Sequence, residues 1–146
     1  MKPMNEVRVE MESRSNNESF ARAAAACFAA QLDPTLEELG DIKTAVSEAV
    51  TNAIVHAYPN EIGKILLRMR VYPEGILELL IRDWGVGIRD VDKAREPLYT
   101  TGGEERSGMG FTIMESFTDT MRVRSTEGKG TTVTMRKKIA QRAVQR

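Results

Sequence analysis

An α+β fold in two layers, with helices on one face of a mixed, largely antiparallel sheet, is the architecture that this chain of 146 residues predicts. Three observations lead there. Two pairs of strand-like runs are each joined by a tight turn signal, Pro73-Glu74-Gly75 and Glu127-Gly128-Lys129-Gly130. Two long helical patterns precede them, and a shorter one lies between the pairs. An apolar content of 41% is enough for one sizeable core, and neither an internal repeat nor an interdomain linker is visible. Residues 1–146 are therefore read as a single domain with no room for appended modules.

The elements follow in order. Val7 to Met11 is a strand, and Asn17 to Gln31 an Ala-rich helix. The next helix runs from Pro34 to Ala57, with Asp33 and Pro34 as cap and first-turn residues. Its apolar positions Leu39, Ile42, Val46, Ala49, Val50, Ala53 and Ile54 recur at steps of three and four, so one stripe faces a core. Strands Lys64 to Tyr72 and Ile76 to Asp83 come next, then an irregular stretch with a short helix near Asp92. Gly110 to Phe117 is a short helix, and Met121 to Ser125 and Thr131 to Lys137 are the final strands. The polar tail, residues 140–146, is expected to fray.

Composition excludes several classes of function. Lys plus Arg and Asp plus Glu number 21 each, so no net field draws the chain to nucleic acid. A single cysteine, Cys27, rules out an internal disulfide, and the N-terminus carries no apolar signal segment. The cytoplasm is the expected compartment, and no apolar run approaches membrane-spanning length. Cys27 reads as a buried packing thiol, and His56, the one histidine, cannot build a zinc site with it; His56 reads as a core or surface residue, with a minor place in a pocket as the alternative.

Three segments carry chemistry. Glu48 and Asn52 lie one turn apart on the second helix, roughly 40° apart on a wheel of about 100° per residue. Between Thr44 and Ala57 the one charged side chain is Glu48, among small neutral neighbours. A solvated face normally carries several Lys or Glu, so this surface suits a pocket wall, although the pattern by itself decides evenly between the two. Next, Asp83-Trp84-Gly85-Val86-Gly87 follows an apolar strand; a carboxylate held there can accept a hydrogen bond from an exocyclic amine, though an ordinary turn has the same pattern. Finally, Ser107-Gly108-Met109-Gly110 opens a helix, where exposed N–H groups and aligned peptide dipoles stabilise a polyphosphate; a plain loop is the alternative. No Walker-type phosphate loop or dinucleotide fingerprint is present.

In this order, Glu48-x-x-x-Asn52, Asp83-x-Gly85-x-Gly87, Gly108-x-Gly110 and Gly130-Thr131-Thr132 resemble the Bergerat-type ATP-binding fold of gyrase, heat-shock chaperone ATPases, mismatch-repair ATPases and histidine kinases. Within that superfamily the chain is similar to the sporulation anti-sigma F factors, serine kinases of spore-forming bacteria. Asn17 to Arg22, Ala30 to Thr35, Val46 to Ile54, Pro97 to Thr101 and Arg106 to Glu115 carry that likeness, the last stretch most specifically.

The resemblance implies ATP and ADP as ligands, with Mg held by Asn52. Glu48 orients the hydroxyl of a serine on an anti-anti-sigma protein, and Asp83 reads adenine. Gly87, Thr101, Arg106, Ser107, Gly108, Met109 and Gly110 line the nucleotide, while Thr131 supports Asp83. It further implies a homodimer on which sigma factor F and the anti-anti-sigma protein compete for overlapping surface, with Arg22 as a partner contact; no nucleic acid or membrane takes part. Residues 88–107 become an ATP lid, longer than the about 4 to 6 residues of most loops. Here the chain departs from the family: Gly102-Gly103-Glu104-Glu105 follows Thr101 where relatives usually carry Lys-Pro and one extra residue. A lid lysine contact is not carried over, and Arg106 becomes the preferred lid cation. Trp84 also replaces a usual acidic residue, at a position that can point away from the base. Two rival readings stay open: an ATP-gated anti-sigma binding module without efficient kinase activity, and a general-stress anti-sigma kinase of the same fold.

Overall fold

The computed structural model describes residues 1–96 and 109–139. Five strands, β1 (Asn5–Glu12), β2 (Lys64–Tyr72), β3 (Ile76–Asp83), β4 (Thr120–Thr126) and β5 (Gly130–Lys138), form one sheet in the order β1-β2-β3-β5-β4. Every pairing is antiparallel, so the two-layer α+β architecture holds while the parallel component of a mixed sheet is absent among the described residues. The two hairpins account for this: the Pro73–Gly75 turn registers Tyr72 opposite Ile76, and the glycine turn registers Thr126 opposite Gly130. Antiparallel neighbours need only such short connections.

Among the described residues four α-helices accompany the sheet: α1 (Asn16–Ala29), α2 (Leu36–Asn52), α3 (Val91–Ala94) and α4 (Gly110–Ser116). Alternation along the strands sends Ile65, Leu67, Met69, Leu77, Leu79 and Met135 into a core shared with Ile42, Val46 and Val50 of α2 and Met114 of α4. On α1 the buried stripe is Ala21, Ala25 and Ala29, whose small side chains let the helix approach closely. Cys27 lies off that stripe and is exposed, which corrects the expected buried thiol.

The expected start of α2 also shifts. Asp33 adopts a left-handed conformation (φ 52°) that ends the short 3-10 turn Ala30–Leu32, and Thr35 is the cap. Its hydroxyl accepts from the Glu38 N–H (3.0 Å) while the Glu38 carboxylate accepts from the Thr35 N–H (2.8 Å). This reciprocal pair was readable as Thr35-Leu36-Glu37-Glu38 and outcompetes a proline-led start. At its far end α2 does not run evenly to Ala57: residues Ala53–Ala57 widen into a π-type turn. The expected tail at 140–146 lies outside the described residues.

The opposite face of the sheet is charged. Glu78 is buried there, with Arg68 at 3.2 Å and Arg136 at 2.8 Å. Trp84 sits on the same side, with the Lys64 ammonium 4.3 Å and the Arg82 guanidinium 4.6 Å from its ring centre.

Candidate functional site

A cavity of about 500 Å³ opens between α2 and its π-type turn, the end of β3, the glycine loop after it, α3, the start of α4 and β5. That volume lies in the range of roughly 300 to 1,000 Å³ typical of small-molecule sites. Ala49, Ala53, Ile81, Val133 and Phe111 give it an apolar wall suited to a planar ring.

Asp83 supplies a polar anchor. It ends β3, points to the helix side with Ile81 and Leu79, and is 7% exposed. Its Oδ1 accepts from the Gly85 N–H (3.0 Å) and the Thr131 N–H (3.1 Å). Both bonds fall on one oxygen, so among the described residues Oδ2 has no protein donor and remains available to a ligand amine. Burial pushes this carboxyl above the ordinary carboxylate range, while the two N–H groups pull it back. Thr131 thus supports Asp83 through its backbone; its hydroxyl shares a 2.8 Å hydrogen bond with Ser125.

The glycine loop is shaped by close approach. A side chain on Gly85 would begin 2.1 Å from the Ala57 carbonyl oxygen, and the neighbouring Val86 N–H donates to that oxygen at 2.9 Å. Gly87 combines a left-handed φ of 75° with a would-be Cβ 2.3 Å from the Thr126 carbonyl, so only glycine fits. Tyr58 adds a tie that sequence reading did not find: it accepts from the Trp84 N–H (2.7 Å) and donates to the Lys64 carbonyl (2.6 Å). Trp84 is absent from the cavity lining, so its substitution leaves the pocket wall untouched.

At the other end, α4 meets α2. A Cβ on Gly110 would lie 3.2 Å from the Asn52 amide and 3.5 Å from Glu48 Oε1, which puts the first residue of α4 directly against both polar residues. Asn52 lines the cavity; Glu48, one turn earlier and half-buried, is beside Gly110 rather than in the wall. Met109 immediately precedes α4 in a non-helical conformation. Thr101, Arg106, Ser107 and Gly108 lie outside the described residues, as does the lid beyond Glu96. The described part of that stretch contains α3, near the expected Asp92.

Sequence reading missed several cavity residues. His56, which the sequence places in the core or at the surface with a minor pocket role as the alternative, lines it because the π-type turn rotates that position inward, a local geometry without a sequence signature. Arg89, Asp90, Lys93 and Glu127 also line it, Arg89 pairing with Glu127 at 3.1 Å. Ser125 holds the loop exit by accepting from the Ile88 N–H at 2.7 Å. Arg22 is remote, on the half-exposed flank of α1, 3.8 Å from Glu18.

No group of three or more His, Cys, Asp or Glu is gathered for a metal among the described residues. That donor set fits magnesium bound mainly by phosphate and water with one amide oxygen, and does not fit an all-protein cage. Chemically, the arrangement offers an amine acceptor, Asp83, and an amide, Asn52, in the wall of an apolar slot, with the Glu48 carboxylate close behind Gly110.

A fold and cavity of this kind define a nucleotide-binding ATPase domain, and the model of the histidine kinase-like ATPase domain matches residues 11–137. An anti-sigma F factor of Geobacillus thermodenitrificans is 56% identical over 137 residues, covering 93% of this chain and 94% of that protein. One of Caldanaerobacter subterraneus subsp. tengcongensis is 57% identical over 136 residues, covering 92% and 94%. Among solved structures, the RsbU and RsbW domains of a Mycobacterium tuberculosis protein superpose with a TM-score of 0.67 at 20% identity, over 94% of this chain and 32% of that one, which shows the shared fold. The chain belongs to the anti-sigma F factor family within the histidine kinase-like ATPases.

Proposed function

We propose that this chain is an ATP-dependent anti-sigma factor of the cytoplasm that sequesters sigma factor F and phosphorylates a serine of its anti-anti-sigma protein. The observation that carries the reading is a cavity lined by Asp83, with one free oxygen, and by Asn52 and Gly110, with Glu48 directly beside Gly110. An adenine amine is the natural donor to Oδ2. The ring then lies against Ala49, Ala53, Ile81 and Val133, and the phosphates extend toward Asn52 and the α4 start. Asn52 would hold magnesium through its amide oxygen, and bound magnesium supplies charge neutralisation at the phosphate oxygens. Glu48 accepts the hydrogen bond of the attacking serine hydroxyl and so orients it; phosphoryl transfer depends mostly on such positioning. Residues 88–107 act as the lid, with Arg106 as its phosphate-facing cation.

In this reading the protein works as a homodimer, binds neither nucleic acid nor membrane, and docks its partners with Arg22. No helix among the described residues is long and apolar enough to cross a membrane. Incubation with labelled ATP, magnesium and the anti-anti-sigma protein is the test. Label on one serine of the substrate is expected. Tight, ATP-dependent capture of sigma factor F with no label transferred would replace the kinase by a nucleotide-gated binding module.

A further inference from the structure

Glu18, in the first turn of α1, joins the proposed docking residue to the helix that carries Glu48. Its Oε2 accepts a 2.6 Å hydrogen bond from the hydroxyl of Ser47, the residue before Glu48 on α2. The same oxygen lies 3.8 Å from Arg22 Nε, one turn along α1. Side-chain exposure is 22% for Glu18 and 42% for Arg22, so the carboxylate is the inner member of the pair and the guanidinium the outer.

A Glu–Arg pair four residues apart on a solvated helix normally samples many rotamers and contributes little. This one differs because the carboxylate is anchored from a second helix. With Ser47 fixing Glu18, the Nε side of the Arg22 fork has a stationary counter-charge, and Arg22 makes no other ion pair or hydrogen bond among the described residues. The remaining donors of the fork can therefore receive a carboxylate from outside, in the planar geometry that guanidinium favours.

We propose that Glu18, anchored by Ser47, is a positioning residue that preorganises Arg22 for an acidic side chain of the docking protein. The proposal rests on the assignment of Arg22 to the partner surface. It also has a sign that separates it from simple charge masking. A carboxylate that only neutralised Arg22 would weaken an acidic partner's binding, and its removal would strengthen it. A carboxylate that holds the fork in place strengthens binding, and its removal weakens it, because a released Arg22 must be immobilised at the moment of binding.

The test measures the affinity of purified sigma factor F for four variants of the full chain in ATP, with ADP affinity and thermal melting alongside. Arg22→Ala is expected to lose binding most. Glu18→Gln, which keeps a hydrogen-bonding partner for Ser47 but removes the charge, should weaken binding roughly two- to tenfold, the cost of fixing one long side chain, with ADP affinity unchanged. Ser47→Ala should weaken it in the same direction, and Ser47→Thr, which retains the hydroxyl, should restore it. Weak binding by Arg22→Ala with normal or tighter binding by Glu18→Gln overturns the positioning role and leaves the Arg22 reading standing. Normal binding by Arg22→Ala overturns both.

Discussion

Asp83→Asn isolates the amine-reading role with little disturbance of the fold. Asparagine keeps an Oδ1 that can accept from the Gly85 and Thr131 N–H groups, so the loop and β5 stay tied. The change falls on the other atom, where an N–H₂ donor replaces the oxygen that faces the cavity, and a donor cannot pair with an exocyclic amine. Loss of one hydrogen bond to a charged group is worth about 1.5 to 3 kcal/mol, which is roughly a 10- to 150-fold loss of affinity. Apo stability should move the other way or not at all. Burial raises the Asp83 carboxyl pKa on folding, so the native state holds that proton more tightly than the unfolded chain does. Stability then falls as pH rises from the ordinary carboxylate value through the raised folded value, and at neutral pH the ionised group is a net cost. Asp83→Asn removes that cost. Calorimetric titration with ADP beside thermal melting at pH 4 to 8 gives both numbers. A folded variant with wild-type ADP affinity would refute the assignment, and a variant that melts well below wild type at neutral pH would refute the account of its burial.

Three further outcomes follow from the same geometry. Glu48→Gln preserves shape beside Gly110 and removes the carboxylate, so single-turnover phosphorylation should vanish while ATP binding and sigma-factor capture persist; phosphorylation at the wild-type rate removes Glu48 from the mechanism. Arg106→Ala should narrow the difference between ATP and ADP affinities, and an unchanged ratio in competitive titration rules out its lid role. Gly87→Ala combines a left-handed φ of 75° with overlap against the Thr126 carbonyl, so denaturant unfolding should show a loss above about 1 kcal/mol; a smaller loss means the loop can be rebuilt around a side chain.

Much of the fold was legible because its periodicities are local. β2 and β3 fall at the expected residues, since alternation and the Pro73–Gly75 turn both mark their ends. The start of α2 was misplaced because Asp33-Pro34 and Thr35-x-x-Glu38 are competing cap signals, and only the reciprocal hydrogen bonds of the second are formed. Cys27 was misjudged because a run of alanines gives no contrast between the faces of a helix, so the packed stripe had no visible register.

For the site, the sequence by itself determined which residue types stand at the strand end, on the second helix and at the start of α4, and their order was enough to identify the family. It could not determine that Gly110 abuts both Glu48 and Asn52, since that contact spans 58 positions of chain from Asn52 and depends on how α4 docks on α2. Nor could it assign both N–H bonds to one Asp83 oxygen, or turn His56 into the cavity through a π-type turn. Spacing along a chain specifies local conformation. Which oxygen stays free, and which helix leans on which, is decided by close packing among segments distant in sequence, and only the tertiary structure contains it.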